Sequence, residues 1–450
     1  MTMKQPAFLI IVTILISAFF TGVLHASQNP QTISLQEAVS LALENNYQIT
    51  RSQSRLEGEQ ARVTASYGNF LPNLNLSANF RHSDIEGMRY IGGEPVGTAT
   101  DITRTYSSGI STSITLFDGF SNVSRLNQSR YNQASARYNH ENTRRLVVTR
   151  VYDLYFEVFR RDELLRVSEE NLRRSEAQLE RIVESNRVGA VPIVDVYRQR
   201  VQVGNDELAL IQAEQNLANA KADLTFFLGL NPVQEYEFDA AGVPTAVDEA
   251  EIESTLEQYR NLDVLTEQTL RRRGDLEATQ QQVYAAESGV TGARGSYWPS
   301  VSLGANYAYT GREIQSINDS RSFNYQLSFS IPLFQRFQRN NEVQQAKVQL
   351  KQAEIEYDEM QNQARLDIRK AVLDLEASAK RVDVSEQNIV AAREEQRLAE
   401  ERYNLGAGTL LDLIIANANL AQAESNRVDA IFGFYLSVRQ LEYLTGEELY

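Results

Sequence analysis

The sequence predicts a mainly α-helical protein with a small β part, built from one unit repeated in tandem. Three observations carry that expectation. Two stretches, about Ser121 to Arg187 and Arg339 to Asn404, contain no proline and hold apolar residues on a seven-residue spacing. Four short segments alternate apolar residues with small polar ones, which is the period of a strand. Landmarks of the first half also recur in the second at one fixed offset. Val188-Gly189-Ala190 returns as Leu405-Gly406-Ala407, Asp195 as Asp412, Leu224 as Leu441, Gly229 as Gly446, and Leu116-Phe117 as Leu333-Phe334.

Earlier in each copy the offset is longer, since Asn46-Tyr47-Gln48-Ile49 matches Arg273-Gly274-Asp275-Leu276 and Pro72 matches Pro299. The segment between Pro72 and Leu116 is therefore the longer of its pair. The first unit is expected over residues 27–232 and the second over 251–450. The acidic joint at 233–250, with Gly242 and Pro244, reads as a linker. Each unit runs as a helix (Leu35 to Tyr67, Ile252 to Tyr297), two strands, a very long helix, a glycine-containing break and a shorter helix.

Residues 1–26 read as an export signal: Lys4 is the positive end, Ala7 to Leu24 carries no charge, and Ala26 closes a short cleavage site. The competing reading is a retained anchor, because a stretch of about 18 such residues is at the lower limit for spanning a bilayer. No later segment approaches that length, so insertion in a membrane would have to use strands. The chain of 450 residues has no cysteine, which removes disulfides and thiolate chemistry. Its net charge of −15 argues against a nucleic-acid partner, because phosphates need a basic face.

The strand segments define a lipid-type surface. Leu74, Leu76, Ala78 and Phe80 alternate with Asn73, Asn75, Ser77 and Asn79; Ile110, Ile114 and Leu116 alternate with Ser111, Ser113 and Thr115. In the second copy Val301, Leu303, Tyr307 and Tyr309 alternate with Ser302, Gly304 and Asn306. Phe323, Tyr325, Leu327 and Phe329 alternate with Asn324, Gln326 and Ser328. A half-buried strand of a soluble sheet normally carries charge on its wet face. Here that face is small, polar and uncharged, as in the interior of a transmembrane barrel. Four strands cannot close a barrel, and open edges in lipid leave backbone groups unpaired at several kcal/mol each. The barrel must be shared, giving eight strands from two chains or twelve from three.

At about 1.5 Å per residue, each long helix extends on the order of 100 Å, far beyond a globular domain. Val158, Leu165, Leu172 and Leu179 hold the seven-residue register, as do Leu375, Val382 and Ile389.

The Leu-Phe-Asp-Gly-Phe (116–120) and Leu-Phe-Gln-Arg-Phe (333–337) strand exits, the Leu-Pro-Asn-Leu and Tyr-Trp-Pro-Ser-Val segments leading into strands, and the Tyr-Asn-Leu-Gly-Ala-Gly-Thr-Leu-Leu-Asp hairpin (403–412) resemble TolC-type outer-membrane efflux and secretion channels. The resemblance covers about Ile33 to Gly446. It implies a tandem-duplicated TolC-like fold in a homotrimer, with one 12-stranded barrel in the outer-membrane lipid bilayer. A coiled-coil helical tunnel would then cross the periplasm to a membrane-fusion adaptor and an inner-membrane transporter of RND, ABC or MFS type. On that reading, Arg81 to Thr105, rich in Gly87, Gly92, Gly93 and Gly97, is a long extracellular loop. The function implied is that of a passive exit duct for efflux or type I secretion. A structural or adhesive periplasmic coiled-coil protein is the alternative.

Asp195 and Asp412 occupy matching first turns after the two helix breaks. Helix-start chemistry accounts for them in part, with Thr409 and Asp412 spaced as a capping box and Pro192 suited to a first turn. The resemblance adds that Asp195, Asp412 and Tyr403 would form the periplasmic gate. The family prototype has arginine where this chain has Gly408, and a second aspartate where it has Ile415. Gly189 and Gly406 read as left-handed glycines ending the long helices. The resemblance makes Val188-Gly189-Ala190 and Leu405-Gly406-Ala407 the adaptor-docking tips. No catalytic site, cofactor or metal is expected. His82 and His140 lack the paired spacing of metal ligands, and no nucleophile motif accompanies them.

Overall fold

A computed structural model of the chain describes residues 32–447 except 319. The expected signal at 1–26 lies outside the described residues.

The first half begins with a two-residue strand β1 (Thr32–Ile33), helix α1 (Leu35–Asn45) and helix α2 (Tyr47–Gly68). The sequence suggested one continuous helix here, and Asn46 is the reason there are two. Its side chain accepts from the Gln48 N–H at 2.8 Å, capping α2, while its amide donates to the Phe227 carbonyl at 2.8 Å. The hairpin β2 (Asn73–Ile91) and β3 (Glu94–Phe117) follows, then α3 (Ser121–Arg187) and α4 (Ile193–Phe227). A short β4 (Glu237–Phe238) pairs in parallel with β1.

The second half opens with three helices where one was expected: α5 (Glu249–Gln258), α6 (Leu262–Arg272) and α7 (Gly274–Gly295). Asn261 caps α6 through the Val264 N–H at 3.2 Å. Then come β5 (Ser300–Gly311), β6 (Ser320–Ser330), α8 (Gln338–Asn404) and α9 (Leu410–Thr445). Both α3 and α8 have 67 residues. Among the described residues no helix is long and apolar enough to cross a membrane.

The four long strands form one antiparallel sheet in the order β2-β3-β5-β6. Its outward rows are exposed, with Leu76 at 78% and Tyr325 at 77%. The segment Arg81 to Thr105 is not an open loop. It extends the hairpin from Arg81 opposite Thr105 to Ile91 opposite Glu94, with one register shift between Arg89 and Tyr90, across a two-residue Gly92-Gly93 turn. Both glycines have positive φ, 65° and 90°, which is the backbone a two-residue hairpin turn of matching twist demands.

Each strand continues into a helix, and the helices keep the strand order. Next to the sheet the layer runs α2-α3-α7-α8; beyond the middle it runs α4-α3-α9-α8. Small hydroxyls tie the upper layer, such as Ser66 Oγ to Ser129 Oγ at 2.7 Å and Ser121 Oγ to the Gly292 carbonyl at 3.2 Å. The core lies at the middle, where Val147, Val151, Tyr155 and Phe156 of α3 meet Leu224 and Leu228 and the α1 face. There Tyr155 Oη lies 2.6 Å from the Asp239 carbonyl and 3.0 Å from that of Ile33, fixing the β1–β4 pair on α3. A parallel cluster in the second half joins Leu375 and Val382 to Phe434 and Leu441.

Below the core the helices are held more by charge. Arg160 bonds Glu157 at 2.7 Å and Asp429 of α9 at 2.6 Å, and Arg174 reaches Glu424 at 3.1 Å. Burial pushes the Glu157 carboxyl up, but its bonds to Arg160 and Arg161 outweigh that and hold it below its ordinary value. The expected heptad leucines Leu165, Leu172 and Leu179 are only half-buried in the single chain, and the fully covered positions on this part of α3 are Ser175, Gln178 and Ile182.

Candidate functional site at the helical tips

The two breaks fold alike. Gly189 (φ 76°) and Gly406 (φ 71°) are left-handed, and the next N–H reaches back to the last helical turn: Ala190 N to the Ser185 carbonyl at 2.8 Å, Ala407 N to that of Arg402 at 2.8 Å. This closure satisfies carbonyls the helix leaves free, and it turns Val188 (68% exposed) and Leu405 (83%) outward. Ala190 and Ala407 are exposed as well. A Cβ added at either glycine would meet nothing within 4 Å, so only the backbone angle resists substitution there.

The helices that follow start differently. Thr409 and Asp412 form a capping box: the Asp412 N–H donates to Thr409 Oγ1 at 3.2 Å, and Asp412 Oδ2 accepts from the Thr409 N–H at 3.0 Å and its hydroxyl at 2.8 Å. The bond from the Thr409 backbone, and then that from its hydroxyl, hold the Asp412 carboxyl below its ordinary value. Pro192 sits at the N-cap of α4 rather than within its first turn and offers no side-chain cap. Asp195, largely covered, therefore turns to Arg198 at 3.5 Å.

The two hairpins pack together at this end. Ile182, Val196 and Leu410 are buried, with Leu179, Val191, Tyr403 and Ile414 against them, and Arg181 of α3 bonds Glu400 of α8 at 2.9 Å. Tyr403 and Asp195 come together here: burial, and then the Asp195 charge, push the Tyr403 phenol up. Asp412 finds its partners within its own turn, so the three predicted gate residues divide into a pair and a cap.

Sequence reading missed the polar interior just above. Ser175, Gln178 and Gln199 are buried, with Gln199 Nε2 donating to the Ser175 carbonyl at 3.0 Å. Gln199 Oε1, Ser175 Oγ, Tyr403 Oη and Asn417 Oδ1 are covered and have no hydrogen-bond partner among the described residues. The available signal was Ser and Gln on the inner face of a heptad-patterned helix. His140 accepts or donates a hydrogen bond with Ser52 Oγ at 2.8 Å, between α2 and α3, while His82 lies on β2. No group of three or more His, Asp or Glu that could hold a metal occurs among the described residues.

A sheet with lipid-type outer rows, carried on a column of very long helices, defines an outer-membrane channel subunit. The chain belongs to the outer membrane efflux protein family, whose profile matches residues 38–230 and 265–447. It is 24% identical over 425 residues to the outer membrane protein TolC of Vibrio cholerae, covering 92% of this chain and 90% of that one. It is 23% identical over 399 residues to the pyoverdine export outer membrane protein OpmQ of Pseudomonas putida, covering 87% and 81%. The crystal structure of VceC from V. cholerae superposes with a TM-score of 0.75 at 18% identity, covering 92% of this chain and 97% of that one. The protein is accordingly an outer-membrane efflux channel component.

Proposed function

We propose that three copies of this chain close into one passive exit duct, a 12-stranded barrel continued by a helical tunnel through the periplasm. The observation that carries this is the open edge on both sides of every layer. Among the described residues β2 and β6 each lack a neighbour on one side. In the helical layers α4 and α8 are the outermost members beyond the middle, and α2 and α8 are outermost next to the sheet. Since β2 and β6 run in opposite directions, joining β6 of one copy to β2 of the next continues the antiparallel order, and α8 then meets α4 and α2 of that copy. Exposed apolar residues on α4, including Val194, Tyr197, Val201, Leu208 and Ile211, and on α8, including Val384 and Leu398, supply a seam for this contact.

The tip is the gate in this reading. Asp195 with Tyr403, and Asp412 on its cap, would ring the constriction three times over and attract cations. With Gly408 and Ile415 in place of the prototype's charged residues, closure rests on Tyr403 and Asp195. The unpaired buried polar atoms above the tip leave fewer hydrogen bonds to break there on opening. Val188-Gly189-Ala190 and Leu405-Gly406-Ala407 are the surfaces offered to a periplasmic adaptor, which connects the duct to an RND, ABC or MFS transporter supplying direction and energy.

The test is a photo-crosslinking amino acid at Leu405 in cells, with the outer membrane then isolated. The reading expects a cross-link to a periplasmic adaptor that is absent with the same label at Val348. A cross-link from Val348 and none from Leu405 would refute the assignment of the tip.

A further inference from the structure

Arg339, in the first turn of α8, is 8% exposed, an unusual burial for a guanidinium. Its Nε donates to Gln335 Oε1 at 3.0 Å and its head lies 5.8 Å from the centre of the Tyr297 ring. Its Nη2 has no hydrogen-bond partner, and no carboxylate pairs with it among the described residues. A buried cation without a counter-charge is costly, so the site is short of one anion.

Its position says which anion. β6 ends at Ser330 and α8 begins at Gln338, so Arg339 stands where the lipid-facing strands give way to the periplasmic helices. Along the junctions between strands and helices Trp298 (60%), Phe334 and Phe337 (77%) are exposed, as an aromatic belt at headgroup level would be. Arg336, also exposed, adds a second cation in the same turn. Arg336 and Phe337 both hold positive φ, 48° and 64°. The first copy lacks these charges. There Asp118 and Gly119 stand for Gln335 and Arg336, Asp118 Oδ2 accepts from the N–H of Asn122 at 2.8 Å, and Asn122 stands for Arg339. A neighbouring copy would not fill the gap either. The edge it would bring here, the end of α2 and the start of β2, carries no Asp or Glu from Arg62 to Ser83.

We propose that Arg339, stacked on Tyr297 at the level where Trp298, Phe334 and Phe337 are exposed, holds the phosphate of one phospholipid of the periplasmic leaflet per chain. The inference rests on the outer-membrane placement of the family. Arg–phosphate pairing is charge-assisted and directional, and the aromatic rims cover the glycerol and upper acyl region. The lipid would fix the angle between β6 and α8 in the second unit of each chain, where no Asp118-type cap exists.

The experiment is native mass spectrometry of the detergent-extracted, delipidated oligomer after adding phosphatidylglycerol, or diacylglycerol as the phosphate-free control. Wild type should retain one phosphatidylglycerol per chain and no diacylglycerol, and excess inorganic phosphate should not displace the lipid. Arg339→Met, which keeps the stem and removes the charge, should lose it. Equal retention by the variant, equal retention of diacylglycerol, or displacement by free phosphate overturns the proposal. A phosphatidylglycerol with a photoreactive headgroup gives a reading on wild type alone, should the variant not assemble. Label is expected on the Tyr297–Trp298 and Phe334–Arg339 peptides, and label confined to other peptides overturns the proposal.

Discussion

The phenol of Tyr403, at the end of one long helix, is buried without a hydrogen-bond partner in the field of the Asp195 carboxylate, at the start of the opposite repeat's short helix. A covered hydroxyl left unpaired costs about 1–3 kcal/mol, so removing it does not destabilise the chain itself. Tyr403→Phe should therefore not lower the yield or melting temperature of the oligomer. If the hydroxyl finds its acceptor on an adjacent copy in the closed state, the same variant raises conductance in planar bilayers. Unchanged conductance would take Tyr403 out of the gate.

The two aspartates separate by partner. Asp195→Asn with Asp412→Asn should raise conductance and weaken block by divalent cations, because the ring would lose its carboxylates. The single Asp195 variant should carry most of the change, since Asp412 is engaged by Thr409. No change in either quantity would leave both residues as helix-start chemistry.

Docking and folding separate at Gly406. Its left-handed φ costs a side chain on the order of 1 kcal/mol, and the space around it is empty. Gly406→Arg should give a normal oligomer yield in the outer membrane with export and adaptor cross-linking lost, and Gly406→Ala a milder defect. Full export by the arginine variant would end the docking assignment.

The Asp412 cap also has a pH signature. Its folded carboxyl is held below its ordinary value of 3.8 by Thr409. A depressed carboxyl stabilises the fold above the unfolded value and loses that contribution as pH falls through the folded one. Hydrogen-exchange protection at the start of α9, corrected for intrinsic rates, should exceed that of Asp412→Asn at neutral pH. The difference should shrink as pH falls from 3.8 toward the lower folded value and vanish in stronger acid. A difference that persists in acid would mean the carboxylate is not what holds the turn.

Much of this architecture was legible because its signals are long. Proline-free stretches with heptad leucines placed α3 and α8, and alternation placed the four strands. Several features escaped for definite reasons. Asn46 reads as an ordinary helix residue until its amide meets the Phe227 carbonyl. Arg81 to Thr105 is too polar and glycine-rich to look like strand, although Gly92-Gly93 between extended segments is the mark of a tight hairpin. Leu172 and Leu179 looked like core, yet on this part of α3 the covered positions are Ser175, Gln178 and Ile182, since α3 is flanked by both α4 and α9. Asp195 and Asp412, and Gly189 and Gly406, stand out by their matching places in the repeat, but the meeting of Tyr403 with Asp195 does not, because no local pattern reports a contact between distant hairpins.

The claim on which the account turns is that four strands per chain are completed by two further copies. The mass of the complex extracted from the outer membrane in mild detergent tests it most directly. Three chains per particle is the predicted result. A monodisperse monomer stable in detergent-free solution, or a particle of two chains, would contradict it.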